Sequence, residues 1–98
     1  MNLTEENVQV LNLVQAMIGA ITPNFRRVTL ELIPSGTVCL RFVLERDELD
    51  DREELDDIVF EFEALQTRGV EIDMEVIVST QPIEQINLPG TVVFGRKE

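Results

Sequence analysis

The stretch RVTLELIPSGTVCLRFVL, residues 27–44, alternates apolar and polar side chains on both sides of a short turn. The apolar members of this alternation are Val28, Leu30, Leu32, Val38, Leu40, Phe42 and Leu44. A period of two places these side chains on one face of a strand pair, and Pro34–Gly36 supplies the residue types that turns prefer. The stretch therefore predicts a β-hairpin with one buried face.

A helix is predicted on each side of this hairpin. The first has apolar residues at helical spacing until Thr22–Asn24 ends the run; they are Val10, Leu13, Val14, Met17, Ile18 and Ile21. The second begins near Asp47 or Asp50, either of which can cap a helix, and ends at Arg68–Gly69. Glycine favours that end because it readily adopts the left-handed conformation that commonly closes helices.

A third strand is predicted at residues 70–79, and Thr91–Phe94 forms a short last strand before a frayed end at residues 96–98. We therefore expect a single two-layer α+β domain over residues 1–98, in the order α-β-β-α-β with the last β. Two helices cover one face of a three- to four-stranded mixed or antiparallel sheet, and the other face stays wet or meets a partner. A crossover through the second helix lets the third strand run parallel to the second, and we place it beside the first.

The chain is strongly acidic, with 19 acidic and 8 basic residues, no histidine and a formal net charge of −11. This charge repels nucleic acid and anionic lipid, so we expect neither as a direct partner and a basic protein instead. No apolar run reaches the roughly 20 residues that span a bilayer, and no secretory signal pattern is present. A cytoplasmic location is the expectation, and the single cysteine, Cys39, excludes an internal disulfide.

The sequence contains no residue pattern that favours catalysis or metal binding. Proton transfer near neutral pH most often uses histidine, and paired carboxylates need a pocket that separates their pKa values, whereas the acids here occupy solvent-facing positions. The acid-rich segment from Asp47 fails as a calcium loop, since Arg52 stands where glycine is needed and Ile58 where the bidentate Glu belongs. We expect no catalytic residue, no enzyme activity, no metal and no other cofactor.

The charge is concentrated in the second helix. Between Glu45 and Glu63 eleven acids stand against two arginines, so the segment carries 2 − 11 = −9 of the total charge. Solvation of a helix face is the plain explanation, but like charges four residues apart cost a few tenths of a kcal/mol each, which favours a binding role. Phe60 lies opposite the apolar stripe, among carboxylates, as an interface hot spot would. It can also fold against residues 81–94, or enter the core if the helix is rotated.

A second acidic row lies on one side of the third strand, at Glu71, Asp73 and Glu75. Pairing with Arg27 and Arg41 on neighbouring strands is an equally good explanation of this row. The predicted partner-binding residues are Asp50, Glu53, Glu54, Asp56, Asp57, Phe60, Glu61, Glu71, Asp73 and Glu75.

With its flanking strands and helix, the acid-rich helix ELDDREELDDIVFEFEALQ, residues 48–66, resembles the bacterial immunity proteins of contact-dependent growth inhibition systems. The resemblance covers the whole chain and is one of size, element order and charge. It implies a cytoplasmic inhibitor that binds a cognate toxin, often a basic nuclease acting on tRNA or DNA, at its active site or a nearby surface.

Two other functions remain open at this point. A self-associating structural or chaperone-like subunit would pair through a strand edge or through Phe60, although the net charge opposes association of identical copies. A carboxylate-based enzyme is the third hypothesis. We expect the free chain to be a monomer or a weak dimer.

Overall fold

The predicted hairpin forms the centre of the sheet. In the computed structural model, which describes residues 3–98 and the side chains from residue 5 onward, β1 spans Phe25–Leu32 and pairs antiparallel with β2, Val38–Leu44. The remaining elements are α1 (Leu3–Met17), α2 (Leu49–Ala64), β3 (Ile72–Val78), β4 (Thr91–Gly95) and a one-turn 3₁₀ helix, Ile83–Gln85, between β3 and β4. The predicted α+β element order is confirmed, and it includes the last strand.

The order of the strands differs from the prediction. The sheet runs β3-β2-β1-β4, so β3 is parallel to β2 as predicted but lies beside β2 and not beside β1. The other side of β1 pairs antiparallel with β4. A parallel neighbour needs a crossover connection, which α2 supplies between β2 and β3. The sheet is mixed, with β3 and β4 at its two edges.

Both helices pack on one face of the sheet, as expected for two layers. The largest fully buried side chains are Phe25, Phe42, Phe62, Leu13, Leu30, Leu40, Leu44, Leu55, Ile58, Val28, Val38 and Val43. In α2 the buried Leu55, Ile58 and Phe62 recur three or four residues apart and form its sheet-facing side. Burial of each such side chain contributes about 1.5–3 kcal/mol, so this stripe determines which side of α2 faces solvent.

Both helices end earlier than predicted. α1 stops at Met17 because the chain turns at residues 18–20, where Gly19 has a φ of +80°. α2 stops at Ala64, and Leu65 closes it in a right-handed conformation, so Gly69 is not its cap. The start of α2 falls between the two predicted capping aspartates, after a residue whose side chain makes no capping hydrogen bond.

The outer face of the sheet, opposite the helices, is partly covered by the chain itself. β3 and β4 lie at opposite edges and run parallel to each other, so residues 79–90 must cross the sheet between them. Ile86 of this segment lines the same depression as Ile77 of β3. On the outer face Thr29 and Val43 are completely buried. The expectation of an open second face is therefore wrong across its middle.

The end of the chain is held in place, so the predicted fraying is also wrong. Arg26 is only 5% exposed, and its guanidinium donates two hydrogen bonds to the Glu98 carboxylate, at 2.8 and 2.6 Å. A third donor of Arg26 binds the Ser79 carbonyl oxygen at 2.9 Å. The hydrogen bonds from Arg26 lower the pKa of the Glu98 carboxyl from 4.5 to about 2.

Candidate partner-binding surface

The acidic residues of α2 face solvent because the opposite side of the helix is buried in the core. Of the predicted residues on this helix, Glu54 is half-buried and the others are exposed: Asp50, Glu53, Asp56, Asp57, Phe60 and Glu61. The ring of Phe60 is 71% exposed. Phe60 therefore neither folds against residues 81–94 nor enters the core.

One acid of α2 serves the fold instead. Asp51 is only 6% exposed and accepts hydrogen bonds from the Thr22 hydroxyl at 2.9 Å and the Asn24 side-chain amide at 2.8 Å. The same Asn24 side chain donates to the Arg46 carbonyl oxygen and accepts from the Arg46 backbone N–H, both at 2.8 Å. This network ties the start of α2 to the segment before β1, and it removes Asp51 from the exposed acidic surface.

The remaining acids divide into a paired and an unpaired group. At the start of the helix Arg46 contacts Glu45 and Glu48, and Arg52 binds Asp47 at 2.8 Å. The other seven form the unpaired α2 face, which consists of Asp50, Glu53, Glu54, Asp56, Asp57, Glu61 and Glu63. Within residues 5–98 none of these seven side chains forms a salt bridge or a side-chain hydrogen bond. Both arginines of this region form their salt bridges with other acids, although the pKa of Arg52 is raised by its hydrogen bond to Asp47 and also by the charge of Asp56.

The acidic row of β3 lies on the outer face, on the opposite side of the sheet from the helices. There Arg41 binds Glu75 at 2.9 Å and Glu31 at 2.8 Å, and the Thr37 hydroxyl donates to Glu71 at 3.3 Å. The cross-strand explanation therefore applies to Glu75, with Arg41 but not Arg27 as its partner. The structure does not bring this row together with the acids of α2.

The exposed apolar surface on α1 was not predicted from the sequence. Val14 and Ile18 belong to the predicted apolar run of the first helix, yet both are exposed. They are part of a solvent-facing set on α1 and the turn after it that we call the α1 stripe: Val8, Leu11, Val14 and Ile18. Leu11 is 67% exposed and Ile18 77% exposed. A groove between the helices is lined by Ile18 from one side and by Glu54, Asp57 and Glu61 from the other.

The sequence does contain one sign of this surface. No charged residue occurs between Asn7 and Phe25, although 28% of the chain is charged. A solvated helix normally carries charged or polar residues on its outer side. Beyond Glu5 and Glu6 in its first turn α1 carries no charge, so it presents a surface of a different kind from α2.

Other chemically notable groups lie apart from these surfaces. Cys39 is buried, and burial raises the pKa of its thiol, which disfavours the nucleophilic thiolate. In the part of the chain that the structure describes, no three cysteine or carboxylate side chains are grouped to hold a metal ion. None of the described helices combines the length and the hydropathy needed to cross a membrane.

Comparison with known protein families relates this architecture to a function. A family model described as MafI2 immunity protein matches residues 7–98. The matched range contains all four strands, all of α2 and most of α1. No curated protein matches the chain.

Proposed function

Because the chain belongs to the MafI2 immunity protein family, we propose that it neutralises a cognate toxin by binding it through the unpaired α2 face. The family supports toxin immunity, and the acidic helix supports this mode of binding. The chain acts as a binding protein and not as a catalyst. Its place of action is the cytoplasm, where it is a monomer or a weak dimer until it meets the toxin.

The observation that carries this proposal is the set of seven acids on α2 that form no salt bridge within residues 5–98. Like charges at successive turns of one helix repel each other, and the nearby arginines are engaged elsewhere. A basic partner would remove this repulsion, since its lysines and arginines would lie between the carboxylates. Solubility alone would be served as well by mixed charges.

The chemistry of the surface also suggests the class of toxin. A row of carboxylates on successive helical turns can imitate nucleic-acid phosphates, which nucleases bind through lysine and arginine. We therefore infer a basic toxin domain, with a nuclease that acts on tRNA or DNA as the class that fits. Occupation of its active site and of an adjacent surface would both protect the cell. Delivery by a contact-dependent system stays a prediction from the resemblance.

Electrostatic steering gives the proposal a kinetic test. Charged faces of opposite sign can raise association rates toward 10⁸–10⁹ M⁻¹s⁻¹ at low salt. The toxin is obtained by recovering the partner of the tagged chain from its host and showing that it is lethal when expressed alone. Asp57→Lys should slow association and flatten its dependence on salt, measured by stopped-flow mixing.

Asp73→Lys is the matched control, because it makes the same charge change at an exposed site on the outer face. A larger effect of Asp73→Lys would move the toxin to the acidic row of β3. Association that is indifferent to salt and to both substitutions would contradict an electrostatic surface altogether.

Self-association is the competing function and has its own signature. A dimer of two chains of net charge −11 tightens as salt screens their repulsion, whereas a steered complex with a basic toxin loosens. Sedimentation velocity of the free chain at low and high salt separates the two. Recovery of no partner from the host, together with a salt-strengthened dimer, would favour the structural subunit.

A further inference from the structure

The α1 stripe is the exposed side of a helix whose charged residues, Glu5 and Glu6, both lie in its first turn. Leu11 and Ile18 expose 67% and 77% of their surface, and the chain from Asn7 to Phe25 contains no charged residue that could solvate this side. Single exposed apolar residues are ordinary, but contiguous ones on one helix side commonly mark an interaction site. The stripe is thus an unpartnered helix face within the described structure.

The stripe is continuous with the unpaired α2 face. Ile18 is the member of the stripe that lines the interhelical groove, beside Gln15 and Gly19, and Glu54, Asp57 and Glu61 line its α2 side. Protein interfaces commonly combine a desolvated apolar centre with a polar rim. The two helices together have this composition, with the apolar centre on α1 and the charged rim on α2.

We propose that the α1 stripe is the centre of the toxin-binding surface, and that the toxin covers it with apolar side chains flanked by lysine and arginine. The basic side chains enter the interhelical groove, where their aliphatic stems lie against Ile18 and their charged ends reach Glu54, Asp57 and Glu61. This inference rests on the proposed function and adds to it the part of the surface that determines how long the complex lasts.

Charge complementarity selects a basic protein over a second copy as the occupant. Carboxylates border the stripe along the groove, so a second copy docked there would bring another chain of net charge −11 against them. A basic toxin neutralises the same carboxylates while it buries the apolar centre. One partner thereby accounts for both features.

The two helices then have separable kinetic roles. Charges at the rim of an interface act mainly on the association rate and its salt dependence, whereas buried apolar contacts act mainly on dissociation. The double variant Leu11→Ala/Ile18→Ala should accelerate dissociation about tenfold or more and leave the salt dependence of association unchanged. Alanine is the strongest helix former and so suits Leu11 in α1, whereas Ile18 lies in the turn that follows; circular dichroism and thermal unfolding verify that the variant is folded.

The toxin domain is the partner that is recovered with the tagged chain and is lethal when expressed alone. Surface plasmon resonance measures its binding to each variant, and rescue of growth measures protection of the cell. Val92→Ala is the control, since Val92 is an exposed apolar residue on β4 and pairs with Thr29 of the outer face, opposite the helices. It should change the dissociation rate less than twofold. A folded double variant with faster dissociation and weaker rescue supports the proposal.

The contrary outcomes are distinct. If the double variant binds and rescues like the wild type, the stripe is not in the interface and the proposed function stands without it. If the wild type is a dimer in sedimentation and the double variant a monomer with unchanged toxin binding, a second copy occupies the stripe and the proposal is overturned. If no lethal partner is recovered, the proposed function fails and this inference with it.

Discussion

Asp50 and Asp51 are adjacent residues of equal charge whose replacement by alanine should have very different effects on stability. Asp51→Ala removes the acceptor of two hydrogen bonds, from Thr22 and Asn24, at a site that is 6% exposed. Hydrogen bonds to charged groups contribute about 1.5–3 kcal/mol each, and Asn24 keeps its bond to the Arg46 carbonyl oxygen. We expect a loss of about 2–4 kcal/mol in the free energy of unfolding.

Asp50→Ala makes the same charge change on the exposed side of the first turn of α2. There the carboxylate acts only on the helix dipole, which is worth about 0.3–1 kcal/mol. For a domain of this size 1 kcal/mol shifts the Tm by about 4–8 °C, so Asp51→Ala should lower the Tm by at least about 8 °C and Asp50→Ala by less.

Thermal unfolding followed by circular dichroism, and urea titration at one salt concentration, measure both variants side by side. Equal losses of stability would refute the reasoning, because they would mean that the charge and not the buried network determines the effect. Addition of salt tests the same point. It should reduce the stability that Asp50→Ala loses through the helix dipole, and it should leave the stability loss of Asp51→Ala nearly unchanged.

Three further substitutions test separate features. Gly90→Ala places a Cβ against a backbone carbonyl of β1 at a φ of +100°, so it should cost at least about 2 kcal/mol of stability. Gly36 has a similar φ and open space around it, so Gly36→Ala should cost less. Urea unfolding of both variants measures the difference. Glu98→Gln removes the partner of Arg26, and because the folded pKa of Glu98 is lowered, the stability that it provides is present above pH 4.5 and lost as pH falls toward 2. The wild type should therefore exceed the variant at neutral pH and converge with it in acid, and a pH-independent gap would contradict the pairing. Phe60→Ala should leave the Tm within a few degrees of the wild type and accelerate toxin dissociation, at a cost of about 2 kcal/mol in binding free energy. A large decrease in Tm with unchanged dissociation would mean that the ring is structural.

The elements themselves follow from local patterns. The alternation around Pro34–Gly36 is enough to predict β1 and β2, because a period of two on a strand is a property of neighbouring residues. The exposure of Phe60 was predictable in the same way, since Leu55, Ile58 and Phe62 define a buried side of α2 that excludes it. The resemblance to bacterial toxin-immunity proteins, which rests on size, element order and charge, was likewise confirmed by the family match, while the contact-dependent system stays a prediction.

The candidate surface was only partly predictable for the same reason. Asp50 and Asp51 are indistinguishable as letters, yet Thr22 and Asn24, which lie far from them in the chain, bury one of the two. The apolar spacing of α1 identifies a helix, but it cannot say which of its many apolar residues the rest of the fold will cover. Only the position of α2 leaves Ile18 outside and beside three carboxylates.

The sequence by itself determined the helices and strands, the acidic character of α2 and the lack of charge on α1 beyond its first turn, all of which depend on residues within a few positions of each other. The tertiary structure alone decided that β3 lies beside β2, that Arg26 binds Glu98 and that the α1 stripe borders the unpaired α2 face. These are contacts between residues distant in the chain. Many such pairings satisfy the same local pattern, and the free energy of the whole core selects among them.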